Sequence, residues 1–182
     1  MILNDKQIRE LCQDENGMLW PFEGIQKGKP SYGLGSFGYD LRLGSNFLIP
    51  NQYVTLLDPL NRKDGQFSPA EYKDFYDLPP HSFVLAESVE RFNMPADVCA
   101  LVDGKSTFAR LGIIVNCTAA EPEWQGILTV EIANVGHSAV RLHVGQGIAQ
   151  AIFFRGERPA RTYIEKEAGG AYQNQAGVTP AL

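Results

Sequence analysis

Apolar and polar residues alternate over short stretches of this chain, and the pattern predicts a mainly β protein. Short strands with turn signals every ~8–12 residues are typical of a sandwich, jelly roll or barrel. A short helix is predicted near the start, where Asn4 or Asp5 can cap a segment that places Ile8 and Leu11 on one face. The predicted strands are GYDLRLGSNFLI, SFVLAESVERF, VCALVDG, GIIVNCT, GILTVEIAN, AVRLHV and GIAQAIFF.

Two polar stretches fall outside this pattern. Residues 61–77, NRKDGQFSPAEYKDFYD, predict an excursion on the surface. The C-terminal tail, about residues 156–182, carries two consecutive glycines and few apolar residues. We therefore expect it to be disordered or to be ordered by something that it binds. The whole chain, residues 1–182, is expected to form one domain.

Charge and cysteine content narrow the class of protein. The formal net charge is 16 − 21 = −5, so no basic field favours nucleic acid or an anionic membrane. Any anionic substrate therefore needs a locally basic pocket or a divalent cation. The start lacks the apolar core of a signal peptide, and no apolar run is long enough to span a bilayer. The three cysteines, Cys12, Cys99 and Cys117, lie far apart in the sequence and form neither a metal-binding pair nor a disulfide framework. We therefore expect a protein of the reducing cytoplasm.

A single carboxylate, Glu131, interrupts the apolar segment ILTVEIAN. Burying a charge without a partner is costly, so a carboxylate at this position requires an explanation. Strand alternation places Glu131 on one face with Ile127, Thr129 and Ala133, among small or apolar groups. Such surroundings raise the pKa of a carboxyl group. Glu131 is therefore a candidate for moving protons.

The segment AAEPEWQ predicts a hairpin between GIIVNCT and GILTVEIAN. With the strands paired about this loop, Glu131 falls near Ile113, toward the open end of the hairpin and close to GKSTFAR. Arg110 is then the nearest partner, and its charge opposes the rise in the pKa of Glu131. On these two residues alone, a buried structural Glu–Arg pair and a catalytic carboxylate are equally good interpretations.

Other polar residues give weaker signals. The turn GKST offers an ammonium group and two hydroxyls to phosphate oxygens, but it lacks the glycine spacing of a P-loop. Ser106 and Thr107 are equally well explained as helix N-caps. Asp40 in GYDLR is interpreted as a turn-capping residue and Trp124 as hairpin packing. No chemistry is assigned to the three histidines, His81, His137 and His143.

The order of motifs resembles the dCTP deaminases of the trimeric dUTPase superfamily. The motifs are SFGYDLRLG, LPPHSFVLAESVERFNMP, DGKSTFARLGIIVNCTAAEPEWQGILTVEIAN, GIAQAIFF and AYQNQAGV. The resemblance implies a dUTPase-like distorted β-barrel or jelly-roll subunit with a few short helices, in a homotrimer with active sites between subunits. It implies hydrolysis of dCTP to dUTP and ammonia, with dUTP supplied for dUMP and dTTP synthesis and dTTP as a candidate regulator. Mg²⁺ would enter with the triphosphate. The resemblance also implies hydrolysis without zinc, in agreement with the absence of the ligand motif of zinc deaminases.

The resemblance also implies a role for individual residues. Glu131 resembles the general base and proton shuttle, which takes a proton from the water attacking C4 and delivers protons to N3 and the departing ammonia. Ser106 and the backbone of Thr118 and Ala119 resemble the groups that hold this water, and Arg110 the group that orients Glu131. The remaining implied contacts to substrate are a phosphate-binding turn and two residues of the closing tail: Lys105, Ser106, Thr107, Tyr163 and Gln175.

One residue departs from the family pattern, and two alternatives to a simple dCTP deaminase remain. Ala171 stands where the family often has a lysine, so a phosphate contact is lost or passes to Lys166. The G-x-I-D-x-x-Y-x-G hairpin of plain dUTPases is absent, which favours deamination, but a bifunctional enzyme that carries dCTP through to dUMP and pyrophosphate remains an alternative. The second alternative function is that of a non-catalytic trimeric nucleotide-binding protein, since a fold alone does not specify an activity.

Overall fold

The structure, a computed structural model, describes residues 1–61, 63–166 and 169–181. Within these ranges, two α-helices, one short 3₁₀ helix (Tyr163–Glu165) and twelve strands are formed. The helices are α1 (Asp5–Leu11) and α2 (Ser106–Ala109). The strands are β1 (Leu19–Trp20), β2 (Lys27–Gly28), β3 (Ser31–Leu34), β4 (Tyr39–Pro50), β5 (Phe67–Glu71), β6 (Phe75–Leu78), β7 (Ser82–Asn93), β8 (Val98–Gly104), β9 (Ile113–Asn116), β10 (Gln125–Asn134), β11 (Val140–His143) and β12 (Gly147–Arg155).

Six strands close into a barrel, which confirms the predicted fold class. Their order is β7-β10-β9-β8-β12-β4, and pairing between β4 and β7 closes the circle. Strands β1, β2, β3 and β5 extend this sheet, while β6 and β11 form a separate antiparallel pair. Closure pairs both edges of the six-stranded sheet and so protects its backbone groups. The largest fully buried side chains in the core include Tyr39, Phe47, Phe92 and Phe153.

Helix α1 begins where its predicted cap requires. The Asn4 side chain accepts a hydrogen bond from the Gln7 amide, and the Gln7 side chain accepts one from the Asn4 amide. This reciprocal pair satisfies two N–H groups that have no partner inside the helix. Of the two predicted caps, Asn4 is therefore the correct one. Ile8 is fully buried and anchors the helix against the barrel.

The β9–β10 hairpin is formed, but its predicted register is wrong. Glu131 lies opposite Asn116, and Ile113 lies opposite Asn134, a shift of three residues. Strand β9 ends early because the chain leaves the hairpin to pair with β8, where Ala100 and Ala120 exchange backbone hydrogen bonds at 2.9 Å. Glu131 consequently lies near the loop end of the hairpin rather than its open end.

The predicted alternation of β10 is confirmed. Leu128, Val130 and Ile132 are buried, while Ile127 and Glu131 on the other face are only partly buried. A register irregularity between Ile127 and Thr129 interrupts the pairing with β7. This irregularity changes the local twist without moving Glu131 to the core face.

The stretch 61–77, predicted as a surface excursion, contains strands that the sequence analysis did not assign. Strand β5 pairs with β4, and β6 pairs with β11. Most of their residues are exposed or partly exposed, so the surface location is correct. Residue 62 lies outside the described residues. No helix in the described part of the chain is both long and apolar enough to cross a membrane.

The C-terminal tail folds onto the same chain's β9–β10 hairpin. Ile127 donates its amide proton to the Gln175 carbonyl at 2.9 Å, and Asn174 donates to the Gln125 carbonyl at 2.8 Å. The indole N–H of Trp124 donates to the carbonyl of Tyr172 at 2.9 Å. Backbone hydrogen bonds therefore fix a segment that has few apolar side chains. Residues 167, 168 and 182 of the predicted tail lie outside the described residues.

Candidate active site

A pocket of about 620 Å³ opens beside β10 and is roofed by the tail. Strand β10 contributes Leu128, Thr129 and Glu131 to its wall. The hairpin loop adds a second wall, and a segment between β4 and β5 adds a third. The other lining residues central to the site are Leu57, Asp58, Thr118, Ala119, Glu121, Trp124, Tyr163 and Gln175.

The Glu131 carboxylate is partly buried and carries an unpaired atom. Its Oε2 atom is buried and accepts no hydrogen bond from any residue that the structure describes. Burial raises the pKa of Glu131 above its ordinary value, and a hydrogen bond from its own backbone amide only partly opposes this rise. A carboxyl group with a raised pKa is suited to accept and return a proton near neutral pH. Glu131 is therefore a candidate for proton transfer.

The neighbouring thiol does not compete for this role. Burial, reinforced by the charge of Glu131, raises the pKa of Cys117 to about 12. The thiolate is the reactive form of cysteine, so a thiol with so high a pKa is inert near neutral pH.

The predicted Arg110–Glu131 pair is absent from the described residues, and the expectation of this contact within one chain was wrong. Helix α2 lies at the open end of the hairpin, where the Val135 amide donates to the Gly112 carbonyl at 2.9 Å. The corrected register moves Glu131 away from that end. Arg110 is exposed on the outer surface instead.

A buried Glu–Arg pair does exist, at another position. Glu90 is fully buried, and its Oε1 atom accepts a hydrogen bond from Arg42 Nε at 2.6 Å. Its Oε2 atom also accepts one from the Arg42 amide at 2.9 Å. Burial raises the pKa of Glu90, although Arg42 opposes this shift. Because Glu90 is well paired and Glu131 is not, the structural interpretation fits Glu90.

The GKST turn lies outside the pocket. None of Lys105, Ser106, Thr107 or Arg110 lines the pocket, and the last three are exposed. The N-cap residue of α2 is Lys105, which makes no side-chain capping bond, so the interpretation of Ser106 or Thr107 as the cap is wrong. Of the predicted site residues, the pocket brings together Glu131, Thr118, Ala119, Tyr163 and Gln175.

Lys105 is held by a buried aspartate. Its Nζ atom lies 2.5 Å from Asp40 Oδ2, and Asp40 is 1% exposed. Asp40 also accepts hydrogen bonds from Gln26, Ser31 and Gln150. The interpretation of Asp40 as a turn cap was therefore wrong: it lies inside β4 and centres a buried polar cluster.

The pocket lining is acidic. Asp58, Glu121 and Glu131 line it, and no lysine or arginine does so among the residues that the structure describes. Lys166 is at the rim, where its Nζ atom lies 2.5 Å from Glu121 Oε1 and 5.0 Å from the centre of the Tyr163 ring. An anionic ligand would therefore need positive charge from outside this lining.

Some lining residues were not expected from the sequence. Leu57, Asp58 and Thr179 belong to segments without a recognisable motif, and only their position in the fold brings them to the pocket. Thr129 was placed on the face of Glu131 but was given no role. Its hydroxyl accepts a hydrogen bond from the Thr179 amide at 3.0 Å, which ties the tail to β10. Trp124 is buried and packs against Phe92 of β7, with the two ring centres 5.6 Å apart, so this contact lies outside the hairpin.

The closed six-stranded sheet defines the class of protein by its fold, a mainly β barrel. The fold is similar to that of 2′-deoxycytidine 5′-triphosphate deaminase from Agrobacterium tumefaciens, with a TM-score of 0.65 and 22% sequence identity. This likeness covers 85% of the present chain and 48% of the Agrobacterium chain.

Residues 2–156 match the family model for dCTP deaminase-like proteins. The chain is 42% identical over 181 residues to the dCTP deaminase of Acidobacterium capsulatum, covering 97% of this chain and 96% of its relative. It is also 42% identical over 169 residues to that of Helicobacter pylori strain G27, covering 91% and 89%. The chain belongs to the dCTP deaminase-like family.

Proposed function

We propose that this protein hydrolyses the C4 amino group of dCTP to give dUTP and ammonia. The observation that carries the proposal is Glu131, whose partly buried carboxylate has an unpaired Oε2 atom and lines a pocket large enough for a nucleotide. Family membership supports the same substrate. The protein would supply dUTP in the cytoplasm for dUMP and dTTP synthesis, with dTTP as a regulator.

In the proposed reaction, Glu131 moves the protons. Its carboxylate accepts a proton from water as the water oxygen adds to C4. Glu131 then delivers that proton to N3, and a second proton passes from the new hydroxyl to the amino group. Ammonia leaves as the C4 carbonyl forms, so dCTP and water become dUTP and ammonia. The backbone of Thr118 and Ala119, at the pocket wall, would hold the water together with Ser106 from another subunit.

We propose that the site is completed by a neighbouring copy in a homotrimer. The pocket needs positive charge, while Arg110 and the hydroxyls of Ser106 and Thr107 lie exposed elsewhere on the same chain. Contact through an apolar surface is favoured because four large apolar residues around α2 and β9 are more than half exposed: Leu101, Leu111, Ile114 and Val135. A second subunit docked there would bring its GKST turn to the pocket of the first.

This arrangement is tested by mixing two inactive variants. Glu131→Gln and Arg110→Ala subunits are unfolded together, refolded and assayed, with each variant refolded alone as a control. If each site takes Glu131 from one subunit and Arg110 from the next, about a quarter of the sites in randomly mixed rings are intact. No recovery of activity, in mixtures whose trimers are shown to have exchanged subunits, would contradict a shared site.

Mg²⁺ and the tail complete the proposal. The carboxylates of Asp58 and Glu121 are hard oxygen donors that fit Mg²⁺ and its bound waters, and the ion would neutralise part of the triphosphate charge. We propose no zinc in the chemistry, because the chain lacks the H-x-E…P-C-x-x-C ligand motif of zinc deaminases. Residues 1–182 would act as one domain, with Tyr163 and Gln175 of the tail closing over the nucleotide.

The direct test is chromatography of the purified protein after incubation with dCTP and Mg²⁺, alongside an ammonia assay. We expect dUTP and ammonia in equal amounts. Formation of dUMP and pyrophosphate would show a bifunctional enzyme instead. Cleavage of dUTP with dCTP untouched would refute the role of Glu131, and no reaction with either nucleotide would favour a non-catalytic protein.

A further inference from the structure

Two histidines that the proposed reaction does not use lie side by side at the far end of β10. His81 Nε2 and His137 Nδ1 share a hydrogen bond of 3.2 Å, and the two ring centres are 5.0 Å apart. His81 is in the turn between β6 and β7, and His137 is in the turn between β10 and β11. Both side chains are exposed, and neither lines the Glu131 pocket.

A buried asparagine holds the two turns together. Asn134 is 1% exposed, and its Nδ2 atom donates to the carbonyls of Pro79 at 3.0 Å and Ser138 at 2.8 Å. Its Oδ1 atom accepts from the Gly136 amide at 2.9 Å. Both histidine-bearing turns are thus fixed to one buried side chain, and the contact between the imidazoles does not depend on free loops.

The backbone conformation of His81 also indicates that its turn is held in place. Its φ of 55° lies in the left-handed region, which costs energy for a residue other than glycine. Strain of this kind persists only where surrounding contacts hold it, and the bonds of Asn134 supply such contacts.

We propose that His81 and His137 form a two-nitrogen binding site for a divalent transition-metal ion, of which zinc is the test case. Two nitrogens each about 2.0–2.1 Å from one zinc ion stand roughly 2.9–3.4 Å apart for octahedral to tetrahedral angles. The observed 3.2 Å falls in this range, and it is the length of a hydrogen bond between the two rings, whose shared proton a bound ion would displace once both nitrogens turn toward the ion. Water fills the remaining positions, and imidazole nitrogen is a preferred ligand for zinc, copper and nickel.

The test is calorimetric titration of Zn²⁺ into the full chain, free of affinity tags, after removal of metals with EDTA and in a non-coordinating buffer. We expect one zinc per chain. His137→Gln and His81→Asn each remove one ligand, and the asparagine tolerates the left-handed backbone. Each change should weaken zinc binding by about tenfold or more, because a chelate becomes a single-ligand site.

His143→Gln is the matched control, since this exposed histidine packs near Phe75, away from the pair, and should leave the titration unchanged. Thermal unfolding in EDTA verifies that each variant is folded. Absence of zinc binding by the unchanged chain, or equal binding by the His81 and His137 variants, would overturn the proposal. Half a zinc per chain with doubled mass would also overturn it, because the ion would then bridge two copies. The result is independent of deaminase activity.

Discussion

Gly126→Ala is expected to detach the tail from the pocket without unfolding the barrel. Gly126 has a φ of 150°, and a Cβ atom there would lie 2.8 Å from the Gln175 backbone nitrogen. That separation is too short for a carbon atom against fixed backbone, so the tail must move. The two backbone hydrogen bonds on either side of this contact, from Asn174 to Gln125 and from Ile127 to Gln175, would then be lost.

The loss can be estimated from these contacts. Two net hydrogen bonds contribute about 2 kcal/mol. Their loss lowers the ratio of closed to open tail by roughly 30-fold. The barrel pairs remain intact, so the main unfolding transition should change little.

Hydrogen exchange of the Ile127 and Asn174 amides reports the tail directly. We expect faster exchange at both, together with a raised KM for dCTP. Gly145→Ala is the control, because Gly145 also has a positive φ, 76°, but a Cβ there meets nothing within 4 Å. If exchange at the tail were equal in the two variants, steric contact at Gly126 would not be what positions the tail.

Three further changes test the site. Glu131→Gln should lower kcat by about 10²–10⁴-fold while dCTP still binds, and near-normal turnover would refute its role. Because burial raises the pKa of Glu131, the wild type loses stability relative to this variant as pH rises from the unfolded-state pKa to the higher folded-state pKa. Chemical unfolding of both proteins at several pH values checks the sign of this difference. Arg110→Ala should abolish activity and lower the melting temperature of the assembled protein, because the proposed homotrimer places Arg110 beside the Glu131 carboxylate of a neighbouring subunit, and normal turnover would contradict this. Ala171→Lys should lower KM for dCTP roughly tenfold through a charged phosphate contact, and an unchanged KM would indicate that Lys166 already serves.

The local pattern of apolar and polar residues was sufficient to predict much of the fold. Alternation over ILTVEIAN correctly separated the buried face of β10 from the face of Glu131, because side-chain direction in a strand repeats every two residues. The short helix, with Asn4 or Asp5 as its cap, and the barrel class also followed from short-range pattern and motif order, and the structure selects Asn4. The raised pKa of Glu131 was predicted from its apolar surroundings alone, and the structure agrees.

The chain's own sequence thus determined its elements, its fold class and the identity of its central carboxylate. Tertiary structure alone decided the hairpin register, the salt bridge of Lys105 with Asp40, the separation of Arg110 from Glu131, and the meeting of His81 with His137. Each of these depends on pairing between residues distant along the chain, as when the exchange between Ala100 and Ala120 ends β9 early. A period-two pattern fixes which face a side chain occupies, but it carries no information on which partner lies opposite.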